Sequence, residues 1–222
     1  MVTFNHDAVE QSTVFMLQNG IYLLQAHRFA ETEMGHAVRL LKWADPEHRA
    51  RIIDMGSGIG AMAAAWLQVR PDLKFTLVNI NKFQLDMSPV SCEKIHCSMT
   101  AVDVEENTQD MAICCFSLGH ADVDDALAEM ARVVRYGGVV FIYDMHCDQS
   151  SKNRLADLDY ELTEPHTLKE IAGKHGLHCD FYMEPSDLGT LKNAVPALAD
   201  VFGNLKPVIW RFINRGNGNV HF

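Results

Sequence analysis

Arg51-Ile52-Ile53-Asp54-Met55-Gly56-Ser57-Gly58-Ile59-Gly60 runs directly into Ala61-Met62-Ala63-Ala64-Ala65-Trp66-Leu67-Gln68-Val69. A short apolar strand ends in an acid, three glycines alternate, and a helix-forming run follows at once. Glycines let the backbone turn through left-handed φ and leave no Cβ between chain and ligand. The helix that starts there turns its free N–H groups toward whatever lies on the loop. Read as Gly56-x-Gly58-x-x-Ala61, the stretch satisfies the fingerprint for a dinucleotide, provided that it stands between a strand and a helix.

Outward from this point the alternation continues. Arg70-Pro71-Asp72 stops the helix, and Lys74–Ile80 reads as a second strand. Lys94–Cys97 is a short third strand and Met111–Leu118 a buried fourth. Asp124–Val134 is an amphipathic helix that begins with acids, as the helix dipole favours. Tyr136-Gly137-Gly138 then turns into the strand Val139–Asp144. The interval from Ile80 to Lys94 is too short for a full crossover helix, and Pro89 breaks what remains. Upstream, residues 1–45 carry apolar positions at approximate helical spacing, interrupted at Asn19-Gly20. Downstream, Thr167-Leu168-Lys169-Glu170 reads as a capping box that opens a helix, with Gly176 as its stop. Leu177–Met183 and Val208–Asn214 read as strands around a helical stretch near 193–202, and their late position fits an antiparallel edge pair. The expected architecture is α/β: a doubly wound, mostly parallel seven-stranded sheet with an antiparallel C-terminal edge pair and an N-terminal helical segment.

Composition bounds the function. The 222 residues suit one domain, with 48% apolar and 22% charged residues. A formal net charge of −10 argues against a nucleic-acid partner, because such binding rests on Lys and Arg neutralising phosphates. No apolar run reaches the roughly 20 residues needed to span a bilayer. The first residues lack a secretory pattern. The six cysteines form no C-x-x-C pair, so no metal site is expected, and a reducing cytoplasm is the expected compartment. The eleven histidines are scattered. The sequence leaves a homo-oligomer open.

Read as Asp54-x-Gly56-x-Gly58-x-Gly60, the opening stretch resembles motif I of the class I S-adenosylmethionine (SAM) methyltransferases. Asp54 separates the two cofactor classes. A carboxylate at the strand tip repels a pyrophosphate and holds the cationic methionine end of SAM. The stretch Asp110–Asp144 is similar to motifs IV to VI of that family, through Ser117-Leu118-Gly119-His120 and Arg132-Val133-Val134-Arg135-Tyr136-Gly137-Gly138. The family usually carries proline where Tyr136 stands. Asn79-Ile80-Asn81-x-x-Gln84-Leu85 is similar to a string in C-methyltransferases that act on sterols, prenyl chains and lipid double bonds. The resemblance covers roughly residues 50–215, which leaves residues 1–45 as a helical lid over a Rossmann-like core.

The resemblance implies SAM as cofactor and a small-molecule acceptor. It implies that Asp54, Gly56, Ser57, Gly58 and Gly60 wrap the methionine moiety. Asn79, at the end of the second strand, would face the ribose diol with Ile80 and Gln84 beside it. Ser98 and Met99 would stand against adenine. The family's usual residue at position 79 is an acid, so on this reading Asn79→Asp should tighten the cofactor. Phe116 stands where prenyl-chain enzymes carry a catalytic acid; an aromatic there can stabilise a cation or pack on adenine. His120 is the first candidate for a general base, followed by Asp144 and His146, since ligands bind at strand C-termini in such sheets and histidine titrates near neutrality. Tyr22, His27, Phe29, Glu33 and His36 are the lid candidates. The leading function is methyl transfer to an isoprenoid or lipid-like small molecule. O- or N-methylation of another metabolite, an NAD-dependent oxidoreductase and a non-catalytic SAM-binding relative remain open alternatives.

Overall fold

The computed structural model describes residues 5–22, 27–28, 30, 32–146, 160–184, 189–190 and 206–216. The helical stretch expected near 193–202 lies outside them.

The N-terminal segment contains α1 (His6–Gln18), a two-residue strand β1 (His27–Arg28) and α2 (Glu33–Ala44). The segment is therefore not helical throughout: β1 pairs antiparallel with β8 (Gly189–Thr190), a strand contributed from far along the chain. Such a long-range partner leaves no local mark in the sequence. Then come β2 (Arg51–Met55), α3 (Ala61–Val69), β3 (Lys74–Asn79), α4 (Lys82–Met87), β4 (Glu93–His96) and β5 (Gln109–Cys115). α5 (Val123–Val133), β6 (Val134–His146), α6 (Pro165–Lys174), β7 (Leu177–Met183) and β9 (Lys206–Asn214) complete the order.

Seven strands form one sheet in the order β4-β3-β2-β5-β6-β9-β7. β2 through β6 pair parallel, whereas β9 runs antiparallel between β6 and the edge strand β7. Neighbouring residues on a strand point to opposite faces, and both faces are covered. Ile52, Leu77, Ile113 and Phe141 pack with Trp66 of α3 and Leu40 of α2. Ile53, Val78, Ala112 and Val140 pack with Leu127 and Met130 of α5 and Leu168 of α6. The chain leaves β2 toward β3 on one side and returns on the other side as β5. The gap between the C-terminal ends of β2 and β5 is thus the switch point at which open α/β sheets bind ligands.

Three local expectations are corrected. Tyr136-Gly137-Gly138 is not a separate turn but the irregular start of β6. The pairing with β5 shifts register between Gln109 and Met111, Gly137 has φ +77°, and a Cβ on Gly138 would meet Asp110 O at 2.7 Å. The fourth strand ends at Cys115, because Phe116 turns to φ +60° and residues 118–120 form a short 3-10 turn. The helix expected from the Thr167 capping box begins earlier, with Pro165 in its first turn and Glu164 as N-cap, and no side-chain cap bond forms. Proline presets the helical φ and lacks the N–H that would go unpaired there, so it wins over the downstream threonine. α4 spans only six residues, as the short interval required.

Candidate functional site

A cavity of about 540 Å³ opens above the switch point, within the usual range of roughly 300–1,000 Å³ for small-molecule sites. Its floor is the glycine loop. Gly56 N and Ser57 N both donate to Val78 O, at 2.9 and 3.0 Å, which folds the loop back over β3. Gly56, Gly58 and Gly60 all have positive φ, between +55° and +79°. Asp54, Gly56, Ser57, Gly58, Asn79, Ile80, Gln84, Ser98, Met99, Phe116 and His120 line the cavity. The fold therefore gathers these side chains from four strand ends.

Gly60 is the exception. It does not line the cavity but starts α3 at φ +71°, where an added Cβ would strike Pro89 Cδ at 2.7 Å and Ser88 Cβ at 2.9 Å. Its role is to let the turn after α4 pack against the head of α3.

Asp54 is 2% exposed, and among the described residues no hydrogen bond or opposite charge offsets the burial of its carboxyl group. Burial pushes its pKa up from 3.8 to about 7. The Ser57 hydroxyl beside it is also buried without a partner among the described residues. An ionised carboxylate with no counter-charge in a low-dielectric wall is costly, so this pair suits a cationic, hydrogen-bonding ligand group.

Asn79 lines the cavity and also braces the glycine loop. Its Nδ2 donates to Gly58 O at 3.1 Å and to Gln84 Oε1 at 3.0 Å, and its Oδ1 accepts from Asn81 N at 3.0 Å. Both its amide hydrogens are taken within the protein, while Oδ1 keeps a second lone pair. An aspartate has no hydrogen to offer Gly58 O, so Asn79→Asp should weaken the cofactor rather than tighten it. It should also destabilise the fold by about 1–3 kcal/mol, the scale for an unpaired buried polar group. Urea denaturation together with calorimetric cofactor titration checks this; tighter binding in the variant would restore the ribose reading of this position.

His120 lies in the short turn after β5, with its ring edge-to-face against Tyr160 at 4.7 Å and 83°. Tyr160 also lines the cavity, and its hydroxyl donates to Asp144 Oδ1 at 2.5 Å. The other two candidate bases drop out of the cavity wall. Asp144 is 4% exposed and further accepts Met145 N at 2.7 Å and Leu118 N at 3.3 Å. Burial raises its pKa to about 6, with these donors opposing the rise. His146 faces Glu184, Nε2 to Oε2 3.5 Å. Sequence reasoning missed Tyr160, because it stands in a stretch without periodicity or motif.

The lid candidates divide. Tyr22 lines the cavity, while the Glu33 carboxylate accepts the Tyr22 N–H at 3.2 and 3.3 Å. His36 is fully buried on α2 against the Tyr143 ring, 5.3 Å between centroids, and is no part of the wall. The His27 side chain and Phe29 lie outside the described residues. α1 supplies the upper wall through Val9, Ser12, Phe15 and Met16. Phe116 and Tyr143, 5.3 Å apart, form an aromatic wall opposite. Among the described residues, no Lys or Arg lines the cavity, no cluster of three or more His, Cys, Asp or Glu is placed to hold a metal ion, and no helix is long and apolar enough to cross a membrane.

A family model described as "Hypothetical methyltransferase" matches residues 5–163. No curated protein matches the chain by sequence. Among solved structures, a geranyl diphosphate C-methyltransferase from Streptomyces coelicolor A3(2), in complex with Mg2+, geranyl diphosphate and S-adenosyl-L-homocysteine, is 14% identical with a TM-score of 0.73, over 82% of this chain and 79% of that one. A geranyl diphosphate methyltransferase in complex with GPP and sinefungin is also 14% identical, with a TM-score of 0.78 over 94% and 99%. The [4+2]-cyclase SpnF is 12% identical, with a TM-score of 0.78 over 96% and 97%. At such identities the likeness establishes the fold, and two chemistries share it.

Proposed function

The chain belongs to the family described as hypothetical methyltransferase, and from that premise we propose that it transfers a methyl group from S-adenosylmethionine to a small, largely apolar acceptor. The observation that carries the cofactor is the Asp54 carboxyl group at the tip of β2, whose burial no described charge offsets, beside a glycine loop and the free Ser57 hydroxyl. When bound, SAM supplies a sulfonium-activated methyl group. Asp54 and Ser57 hold its cationic methionine end, the loop lets it approach the backbone, and Met99 and Phe116 offer apolar surface to the adenine. Asn79 braces the loop at Gly58 O, so its departure from the family's acid is an internal support and not a sign of a lost cofactor.

The acceptor half of the cavity is apolar and aromatic, bounded by Phe15, Met16, Tyr22, Tyr143 and Tyr160. No described cation is there to neutralise a diphosphate. An uncharged isoprenoid or lipid-like acceptor fits these walls. The chain's work is to align acceptor and methyl group and to exclude water. His120, on the cavity wall, is the group we assign to take a proton from the acceptor where one must leave.

Asp54→Asn tests the reading. Loss of the charge should weaken SAM and S-adenosylhomocysteine (SAH) by about 1.5–3 kcal/mol, roughly ten- to hundredfold. The sign of the pH dependence is fixed by the raised pKa. Below about pH 7 free Asp54 is protonated, so wild-type affinity should fall by up to about tenfold per pH unit until it meets that of the variant, and level off above about pH 7. The variant should show no such slope. In the free protein, folded Asp54 keeps a proton that the unfolded chain releases between about pH 4 and 7, so stability drops as pH rises through that window. Asp54→Asn should therefore melt at a higher temperature than wild type at pH 8. Equal affinity in both proteins would contradict the assignment.

A further inference from the structure

One continuous polar path ties the glycine loop to the N-terminal helix. Asn79 Nδ2 donates to Gly58 O and to Gln84 Oε1. Gln84 Nε2 donates to Thr13 Oγ1 at 2.7 Å, and that hydroxyl donates to Val9 O at 2.8 Å. Thr13 is the one buried residue of α1. Val14 and Phe15 on the same helix are each 41% exposed, and Phe15 and Met16 face the cavity. The helix is thus held at a polar point more than by a packed apolar face. Beyond this path, Asn81 Nδ2 reaches Glu10 Oε1 at 3.3 Å and His6 Nδ1 at 3.4 Å. A helix of 13 residues is marginal on its own, so its order depends on what it docks against.

We propose that Gln84 is a positioning residue: through Asn79 and Thr13 it makes the seating of α1 over the acceptor cavity depend on an occupied glycine loop. The inference rests on the reading that this loop holds SAM. A ligand on the loop fixes the Gly58 carbonyl, which fixes the Asn79 amide and through it the Gln84 amide that receives Thr13. Val9 and Met16 line the same cavity as the loop, so a ligand there would give those side chains a surface to cover. The cofactor then binds first and the acceptor meets a finished wall. Linkage makes the coupling reciprocal, so a well-seated α1 also strengthens the cofactor.

Hydrogen–deuterium exchange of the full chain, with and without saturating SAH, tests this in wild type, Thr13→Val and Thr13→Ser. Valine matches threonine in shape and nearly in helix propensity, and removes only the hydroxyl. In wild type and Thr13→Ser, SAH should slow exchange across residues 8–18 about tenfold or more. In Thr13→Val, SAH should bind roughly 2–10-fold more weakly, the scale of one net hydrogen bond. At saturation in that variant, the loop at residues 56–60 should still be protected while α1 is not. The proposal is overturned where SAH binds wild type without slowing α1, or where the slowing survives in Thr13→Val. Failure of wild type to bind SAH at all would overturn the cofactor reading, and this coupling with it.

Discussion

His120→Ala should lower methyl-transfer turnover by about 10²–10⁴, the usual contribution of a positioned general base, while SAH affinity stays unchanged. The imidazole stands on the cavity wall at the C-terminal end of β5, where the backbone has just left the sheet at Phe116. Its place is fixed from two sides. The His120 backbone N–H donates to Ser117 O at 3.2 Å, which fixes the turn, and the Tyr160 ring packs against the imidazole while the Tyr160 hydroxyl is held on Asp144. Gly119 between them has no room for a side chain, since a Cβ would lie 2.3 Å from Tyr160 Cε1 and 2.5 Å from Glu161 O. This packing holds the ring in place before any acceptor arrives. Steady-state kinetics with a tritiated methyl donor separates the roles. A base predicts a fall in kcat with KM nearly constant. A group that only positions the acceptor predicts a raised KM with kcat nearly constant. No change in either parameter would remove His120 from the chemistry.

Gly56→Ala should destabilise the protein by roughly 2–5 kcal/mol, whereas Gly58→Ala two residues away should cost only about 1–2. Both glycines have positive φ, at +79° and +55°, so both variants carry the left-handed penalty of about 1–2 kcal/mol for a residue with a Cβ. Only Gly56 also lacks space: its Cβ would fall 2.4 Å from Ser117 Cβ and Oγ and 2.9 Å from Met99 Cε. Ser117 cannot simply yield, because its hydroxyl is buried and donates to Met55 O at 3.0 Å. Overpacking of this kind adds about 1–3 kcal/mol. At Gly58 nothing lies within 4 Å of an added Cβ. Urea unfolding of the two variants side by side gives the comparison. Equal destabilisation would mean that the loop moves freely away from β5.

The central sheet was legible because its signals are local. β2, α3 and β3 follow one another with a strand tip, alternating glycines and a proline stop, each of which has a single conformational meaning. β7 and β9 were visible as β-rich runs late in the chain. What the sequence did not reveal depends on partners far away. Asn79 reads as a ribose contact, and only the fold shows that Gly58 and Gln84 take both its amide hydrogens. His36 reads as a lid residue until α2 is seen to lie on the sheet, which buries it against Tyr143. Tyr160 carries no pattern, and only the fold brings it from beyond β6 to Asp144 and His120. Gly60 reads like its two neighbours, although it answers to Pro89 and Ser88 instead of the cavity.

Calorimetric titration of the full-length chain with SAH and, separately, with NAD at pH 8 tests the central claim most directly. The buried Asp54 carboxylate predicts saturable binding of SAH, loss of most of that affinity in Asp54→Asn, and no binding of NAD, whose pyrophosphate would meet that charge. Saturable NAD binding without SAH binding would contradict the account and return the glycine loop to a dinucleotide.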